Sequence, residues 1–206
     1  MQKIMFNDRY FLEEATLMER KTTTRREPFF SDVEIETHFD IETGKFHVIE
    51  KDSRKLIHTS RYALGEIVAV AQSYEKVRNF YFENDSDDRR TIDMMQYAYD
   101  KGWKNKMFVK AEIMPSKIQI KNIRCERLQD ISDDDCIREG IWNRTICYPY
   151  FYFEERYGKN GIRPYPFKTA REAFTALIDK LNGRGFWDSN PYNVVYEYKK
   201  LPDLFQ

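Results

Sequence analysis

RKTTTRR, residues 20–26, is the stretch of the 206-residue chain on which the prediction of its fold depends. Its members are Arg20, Lys21, Thr22, Thr23, Thr24, Arg25 and Arg26. The threonines favour a β-strand, because a branched Cβ packs well on a pleated surface. The cations could meet phosphates, and the hydroxyls could add hydrogen bonds to phosphate or sugar. A solvated edge strand, protected from aggregation by its charges, is the alternative interpretation.

The composition indicates a folded chain without an overall basic character. Hydrophobic residues make up 41% and aromatic residues 16%, which argues against disorder. The 34 Lys and Arg balance the 34 Asp and Glu, so the chain has no overall positive charge. Nucleic acid could therefore bind only at a local basic patch. No stretch reaches the length of about 18 apolar residues that predicts a membrane span.

The termini and cysteines lead us to expect a cytoplasmic protein. The first ten residues lack the basic segment and apolar run of a secretory signal. Cys125, Cys136 and Cys147 form no Cys-x-x-Cys pair, so neither a zinc site nor a disulfide framework is predicted. His38, His47 and His58 also lack metal-ligand spacing, and we expect no metal and no cofactor.

Periodicity and capping residues predict several strands and a few helices. The predicted elements are a helix over 8–20, a hairpin over 33–50 turning at Thr43-Gly44, strands at 67–71, 107–114, 118–128 and 194–198, a helix from Ser132 to about Glu139, and a helix from the Thr169/Glu172 capping box to Gly183. A two-residue turn would pair Phe39 with Val48, whereas a bulge at Gly44 would shift that register. This mixture indicates an α+β fold with a small barrel.

Four segments, taken in order, resemble the ASCH domain family of the PUA-like superfamily. They are RKTTTRR (20–26), LGEIVAVAQSY (64–74), IQIKNIRCERLQDISDDDCIREGI (118–141) and WDSNPYNVVYEYKK (187–200), the last as in larger phage and bacterial members. The resemblance implies a PUA-like small mixed β-barrel with flanking helices. It also implies a single domain over 1–206, with insertions at about 28–60, 78–105 and 142–166. Its ligands would be RNA or modified nucleosides, held in a cleft beside the Lys-Thr strand.

One branch of that family hydrolyses the acetyl amide of N4-acetylcytidine with a Lys, a Thr three residues later and a Glu. By resemblance, these roles fall on Lys21 as base, Thr24 as nucleophile and Glu139 as proton donor. A threonine hydroxyl needs a base, and a lysine serves as one only when burial or nearby cations lower its pKa. In a regular strand Lys21 and Thr24 would point to opposite faces, so a bend or bulge near Thr22 or Thr23 would be needed. A surface carboxylate at a helix end is the alternative for Glu139.

The residues expected to bind nucleic acid are Arg20, Lys21, Thr22, Thr24, Arg25 and Arg26. Nucleic-acid bases are expected to stack on the side chains of Tyr74 and Trp187. Core packing is the alternative role of both aromatic residues. We therefore expect an RNA- or modified-nucleoside-binding protein without membrane or metal partners. An amidohydrolase, a nuclease, or a phage-derived interaction module using the aromatic stretch 142–167 are the alternatives. The sequence leaves the oligomeric state undetermined.

Overall fold

A computed structural model describes residues 1–84, 89–145, 150–158 and 161–203. Cys147 and parts of the second and third expected insertions, 78–105 and 142–166, lie outside these residues. In the described chain the strands are β1 (Lys3–Ile4), β2 (Thr23–Phe29), β3 (Ile35–Asp40), β4 (Lys45–Glu50), β5 (Leu56–Thr59), β6 (Ile67–Val70), β7 (Lys117–Arg127), β8 (Trp142–Arg144), β9 (Tyr150–Tyr157), β10 (Gly161–Phe167) and β11 (Tyr192–Lys200).

The α-helices of the same residues are α1 (Leu12–Leu17), α2 (Tyr74–Asn84), α3 (Arg89–Met94), α4 (Asp133–Arg138), α5 (Ala170–Asn182) and α6 (Phe186–Ser189). The mixture of helices and mainly antiparallel sheets confirms the α+β class. No helix in the described part of the chain combines the length and apolar character that crossing a membrane requires.

The chain divides into two compact units, each with its own packing. The described residues of the first unit are 1–7, 67–84, 89–119 and 200–203, and those of the second are 8–66, 120–145, 150–158 and 161–199. In the first, β1 runs parallel to β6, and β6 pairs antiparallel with the start of β7. One face of α2 buries Tyr74, Val77 and Tyr81, whose spacing places them on one helical stripe.

In the second unit the rest of β7, β11 and β2 are neighbours in that order. β11 and β2 are antiparallel, with Tyr196 opposite Thr24 and Val194 opposite Arg26. The pairing register then shifts by one residue, because the next pair is Phe29 with Tyr192. Glu27 and Pro28 of β2 therefore face the single residue Asn193 of β11. Glu27 has a φ of 56°, so this is a bulge held in a left-handed conformation.

The expected closed barrel is not present among the described strands. A barrel closes only when the end strands of the order pair with each other, and β1 and β2 end the largest sheet without doing so. The expected insertions 28–60 and 142–166 contribute separate three-stranded sheets, β3-β4-β5 and β10-β9-β8. These segments pair among themselves, so they do not supply the strand that would close the main sheet.

The second unit also corrects two local expectations. The hairpin at 33–50 is present, but Phe39 faces Phe46, so the register of a two-residue turn is wrong. Four residues connect Asp40 to Lys45, and Oδ2 of Asp40 accepts the Thr43 hydroxyl at 2.6 Å. The helix expected over 8–20 is only Leu12–Leu17, because Phe11 has a φ of 55° and breaks the helical geometry.

In the first unit one expected strand is absent from the described residues and another is present. The strand expected at 107–114 is wrong, since two 3-10 turns, Lys106–Phe108 and Ala111–Ile113, occupy it. The side chain of Asn105 accepts the Met107 N–H at 3.0 Å and begins the first of these turns. The buried strand after Gly65 is confirmed as β6, where Val68 and Val70 are fully buried.

Candidate functional site

The N-terminal end of the RKTTTRR stretch lies before β2 begins. The N–H of Thr22 donates to the carbonyl of Arg138 at 2.9 Å, and the carbonyl of Thr22 accepts the N–H of Tyr198 at 2.9 Å. Thr22 therefore connects the end of α4 to β11, and Lys21 is outside the regular strand. The strict alternation of a strand does not govern Lys21, and the bulge occurs at Glu27 rather than near Thr22 or Thr23.

The ammonium of Lys21 is enclosed, with a side chain only 2% exposed. Nζ donates to the carbonyl of Thr23 at 2.7 Å, to the carbonyl of Glu139 at 2.8 Å and to Oε2 of Glu139 at 2.5 Å. An ammonium has three N–H groups, so it can satisfy several such acceptors at once. Burial lowers the pKa of Lys21 to about 8, although the neighbouring Glu139 carboxylate acts to raise it.

Glu139 connects two cations of the stretch. This residue ends α4, where the hydroxyl of Ser132 accepts the Asp135 N–H and caps the start of the helix as expected. Its Oε2 contacts Lys21, and its Oε1 accepts Nη1 of Arg25 at 2.9 Å. The Arg25 side chain is 2% exposed, so both cations are held in a medium where an unpaired charge would be costly.

The ionic network continues away from β2 along β7 and α4. Nη2 of Arg25 pairs with Oε1 of Glu126, whose other oxygen accepts Nε of Arg124 at 2.8 Å. Nη2 of Arg124 also donates to Asp135 at 2.8 Å. Arg138 bridges Asp135 and Glu197 at 3.1 and 3.0 Å. The members of this paired-charge cluster are Lys21, Arg25, Arg124, Arg138, Glu126, Asp135, Glu139 and Glu197.

The paired-charge cluster contains equal numbers of cations and carboxylates. Each carboxylate accepts from at least one Lys or Arg, so negative charge around these cations is already supplied by the protein. A phosphate would have to displace a carboxylate to bind here. Within the described residues, no group of three or more His, Cys, Asp or Glu is placed to hold a metal ion.

The expected catalytic residues are only partly brought together. Lys21 and Glu139 are in contact, whereas Thr24 lies in β2 opposite Tyr196 and is 5% exposed. The Lys21 ammonium donates to Glu139 and to the carbonyl of Thr23, so it links Glu139 to the backbone next to Thr24. Thr23, which was not among the expected site residues, buries its Oγ1 without a hydrogen-bond partner.

Arg20 lies apart from the paired-charge cluster, whereas Arg26 is near enough to Glu139 to interact with it electrostatically. The Arg20 guanidinium donates to the carbonyl of Gly140 and stacks on the Trp142 ring, with 3.7 Å from Cζ to the ring centroid. Burial lowers the pKa of Arg26, and the Tyr62 and Tyr198 rings counteract part of that effect. The Arg20 guanidinium is therefore separate from the cations Lys21 and Arg25 that share Glu139.

A pocket of about 240 Å³ lies at the bulge of β2. We call it the bulge pocket, and its lining residues are Arg25, Arg26, Glu27, Pro28, Ile178, Asn182, Phe186 and Asn193. The bulge opens this space because two residues of β2 face the single residue Asn193 of β11. The walls combine guanidinium and amide groups with one aromatic and one aliphatic side chain.

The two aromatic residues expected to stack on bases lie in different units. Tyr74 belongs to the core of the first unit, where it is fully buried and its hydroxyl accepts the Lys110 N–H at 2.9 Å. Trp187 is half-buried in the second unit and packs edge-on against Phe174, with ring centroids 6.2 Å apart. Tyr74 thus takes the core role, and neither residue lines the bulge pocket.

Sequence reasoning missed several residues around the site. Arg124 and Glu126 lie two residues apart in β7, so their side chains share one face of the strand. This spacing could have indicated that the two side chains are neighbours. Asn182 and Phe186 offered no such signal, since they end α5 and begin α6 and reach the bulge pocket only in the folded chain. Among the cysteines that the structure describes, Cys125 and Cys136 form no disulfide, and burial raises the pKa of each thiol to about 12.

Comparison with protein-family models, curated proteins and solved structures finds no match for this chain. The similarity to the ASCH family therefore stays a prediction from the four sequence segments.

Proposed function

We propose that this chain is an ASCH-type protein that binds a nucleoside, either modified or as an unstacked base of an RNA, in the bulge pocket. The observation that supports this proposal is the position of the pocket: its wall is the end of the RKTTTRR stretch, through Arg25 and Arg26. Pockets for drug-sized ligands measure roughly 300–1,000 Å³. A space of about 240 Å³ suits a ligand of smaller size, such as a base with its ribose.

The chemistry of the walls also suits a nucleoside. Ligand sites combine apolar surface with polar groups that orient the ligand, and the lining of the bulge pocket is more polar than apolar. Ile178 and Phe186 supply apolar surface, and Asn182 and Asn193 supply amides that can donate and accept hydrogen bonds at a base edge.

The charge state around the pocket favours a neutral group over a phosphate. Arg25 is already paired with Glu139 and Glu126, and the lining includes the Glu27 carboxylate together with Arg26, so the pocket has little net positive charge. Phosphate contacts make affinity fall steeply with salt, because bound counterions are released. We therefore expect nucleoside affinity in this pocket to change little between low and moderate salt.

Calorimetric titration of the whole protein with cytidine, N4-acetylcytidine and a short unstructured RNA tests the proposal. Asn182→Phe would fill the bulge pocket and should weaken binding by about tenfold or more. Arg184→Phe, an equally bulky change at an exposed residue outside the lining, is the matched control and should bind as the parent does. No binding of any of these ligands by the parent protein, or equal binding by Asn182→Phe, would refute the proposal.

An amidohydrolase acting on N4-acetylcytidine is a second candidate function, favoured by the contact between Lys21 and Glu139. A pKa of about 8 makes Lys21 neutral in part near physiological pH, which a general base requires. In this reaction Thr24 would attack the amide carbonyl and Lys21 would accept its proton, which would pass through Glu139 to the leaving amine. Water would then hydrolyse the acetyl ester on Thr24 and release acetate. Lys21 donates to the carbonyl of Thr23 and to Glu139, and it would have to lose its proton before it could accept the one from Thr24.

Chromatography of N4-acetylcytidine incubated with concentrated protein between about pH 6 and pH 9.5 tests this second candidate. Cytidine release that disappears in Thr24→Val and Lys21→Met would support it. Absence of cytidine, or full activity in Thr24→Val, would reject the assigned roles.

A further inference from the structure

The sheet formed by β8, β9 and β10 has two faces of different character. Alternate residues of β9 point to opposite faces, so Phe153 and Glu155 share one face and Tyr150 and Tyr152 share the other. Phe153 is 1% exposed and stacks on Tyr165, and α5 packs against this same pair of strands. The Phe153 face is therefore the core face, and the Tyr152 face is the outer one.

The outer face contains a continuous row of rings with a guanidinium at each end. Trp142 of β8 lies opposite Tyr152 of β9, with ring planes 8° apart and centroids 5.8 Å apart. Tyr150 follows at 5.4 Å from Tyr152. Arg20 stacks on Trp142 at 3.7 Å, and Arg144 donates to the Tyr150 hydroxyl at 3.1 Å. We call these five residues the aromatic row.

The aromatic row is accessible from outside the sheet. Trp142, Tyr150 and Tyr152 are half-buried and Arg144 is exposed. Pro164 and Pro166 of β10 pair with β9 beside the row and are exposed as well. Large rings are normally covered in a core, and so a row of them at the surface requires an explanation.

We propose that the aromatic row is a binding surface for single-stranded nucleic acid. Bases stack on aromatic rings with little regard to sequence, since every base has a π-face. The guanidiniums at the two ends of the row match the phosphates that flank a stacked base. A proline-rich peptide would use the rings but has no anionic groups for the arginines. This surface is distinct from the bulge pocket, and so it adds a second nucleic-acid contact to the proposed function.

The experiment is titration of the whole protein with a fluorescently labelled oligouridylate or oligothymidylate of about a dozen nucleotides, with quenching of tryptophan fluorescence recorded in parallel. Tyr152→Ala should weaken binding of either oligonucleotide by about tenfold or more, since one stacking platform is lost. Trp142→Phe should remove most of the quenching, whereas Trp103→Phe should retain it. Arg144→Gln should reduce the dependence of affinity on salt.

Tyr157→Ala is the matched control, because Tyr157 is an exposed tyrosine of the same strand on the opposite face. Its affinity should equal that of the parent, and circular dichroism should show all variants folded. The proposal is overturned if neither oligonucleotide binds, if a proline-rich peptide binds and they do not, or if Tyr152→Ala and Tyr157→Ala bind equally well. A failure of nucleoside binding by the bulge pocket would leave these outcomes unaffected.

Discussion

Nζ of Lys21 lies 2.5 Å from Oε2 of Glu139, although 118 positions separate the two residues in the chain. The pair joins the segment before β2 to the end of α4, and Arg25 shares the same carboxylate. Buried ion pairs of this kind contribute little compared with well-packed apolar residues, but removing one partner is costly. We therefore expect a large effect when one charged partner of this pair is removed.

Replacing the shared carboxylate should destabilise the protein strongly. Glu139→Gln leaves Lys21 and Arg25 without their common anion, and losing one member of a buried pair costs roughly 3–5 kcal/mol. Urea denaturation gives the free energy of unfolding. Glu36→Gln removes one partner of the exposed Glu36–Arg54 pair and serves as the control, where we expect a change of less than about 1 kcal/mol. Equal effects of the two substitutions would show that burial of the Lys21–Glu139 pair contributes nothing.

The low pKa of Lys21 should appear in the pH dependence of stability. Its folded-state pKa of about 8 is below the usual lysine value of 10.5, so between these pH values the unfolded chain binds more protons. The contribution of Lys21 to the free energy of unfolding should therefore rise with pH across this window and stay constant below it. The difference between the parent and Lys21→Met across this pH range measures the effect. A lysine Cε resonance titrating near pH 8 would confirm it directly, and a Lys21 resonance titrating above pH 10 would contradict it.

Glu155 should make folding sensitive to acid. Burial alone would raise the pKa of this carboxyl, but hydrogen bonds from Lys180, Tyr165 and Arg9 lower it to about 2. The carboxylate therefore contributes stability that is fully present above about pH 4.5 and is lost as the pH falls towards 2. Glu155→Gln should be less stable than the parent at pH 7 and should show a weaker loss between these two pH values. Glu154→Gln, at the next position and on the opposite face of β9, should retain the acid sensitivity of the parent.

Two glycines allow backbone strain to be separated from steric overlap. Gly140 and Gly183 both have positive φ, at 114° and 108°, a region that a Cβ disfavours. A Cβ on Gly140 would lie 3.0 Å from the Leu12 side chain, whereas one on Gly183 would meet nothing within 4 Å. We expect Gly140→Ala to lower the free energy of unfolding by about 1–3 kcal/mol more than Gly183→Ala does. Thermal or urea unfolding of the two variants measures this difference, and equal losses would assign the whole effect to the backbone.

Many of the elements could be read from the sequence because their signals are local. The threonines predicted β2, Ser132 predicted the start of α4, and the Thr169/Glu172 capping box predicted α5. Each of these signals acts over a few residues, through side-chain hydrogen bonds to nearby N–H groups or through steric preference. The prediction of a strand at 107–114 was wrong. Its apolar residues reach the core from 3-10 turns, not from the alternating positions of a strand.

The candidate site was predictable only in part, for a physical reason. Lys21 and Glu139 were expected together through the ASCH resemblance, and their contact is present. Thr24 was expected beside them, but its position in β2 is set by pairing with Tyr196. The partners Arg124 and Glu126 carried only the weak signal of a shared strand face.

The sequence by itself determined the α+β class, the strand that carries the RKTTTRR stretch and the capped helices, because propensity and capping act between neighbours in the chain. The tertiary structure alone decided which charges are paired, where the sheets end and where the bulge pocket opens. These features depend on strand order and register between distant segments. A shift of one residue in register would turn every side chain of β2 to the other face, and no local pattern specifies that choice.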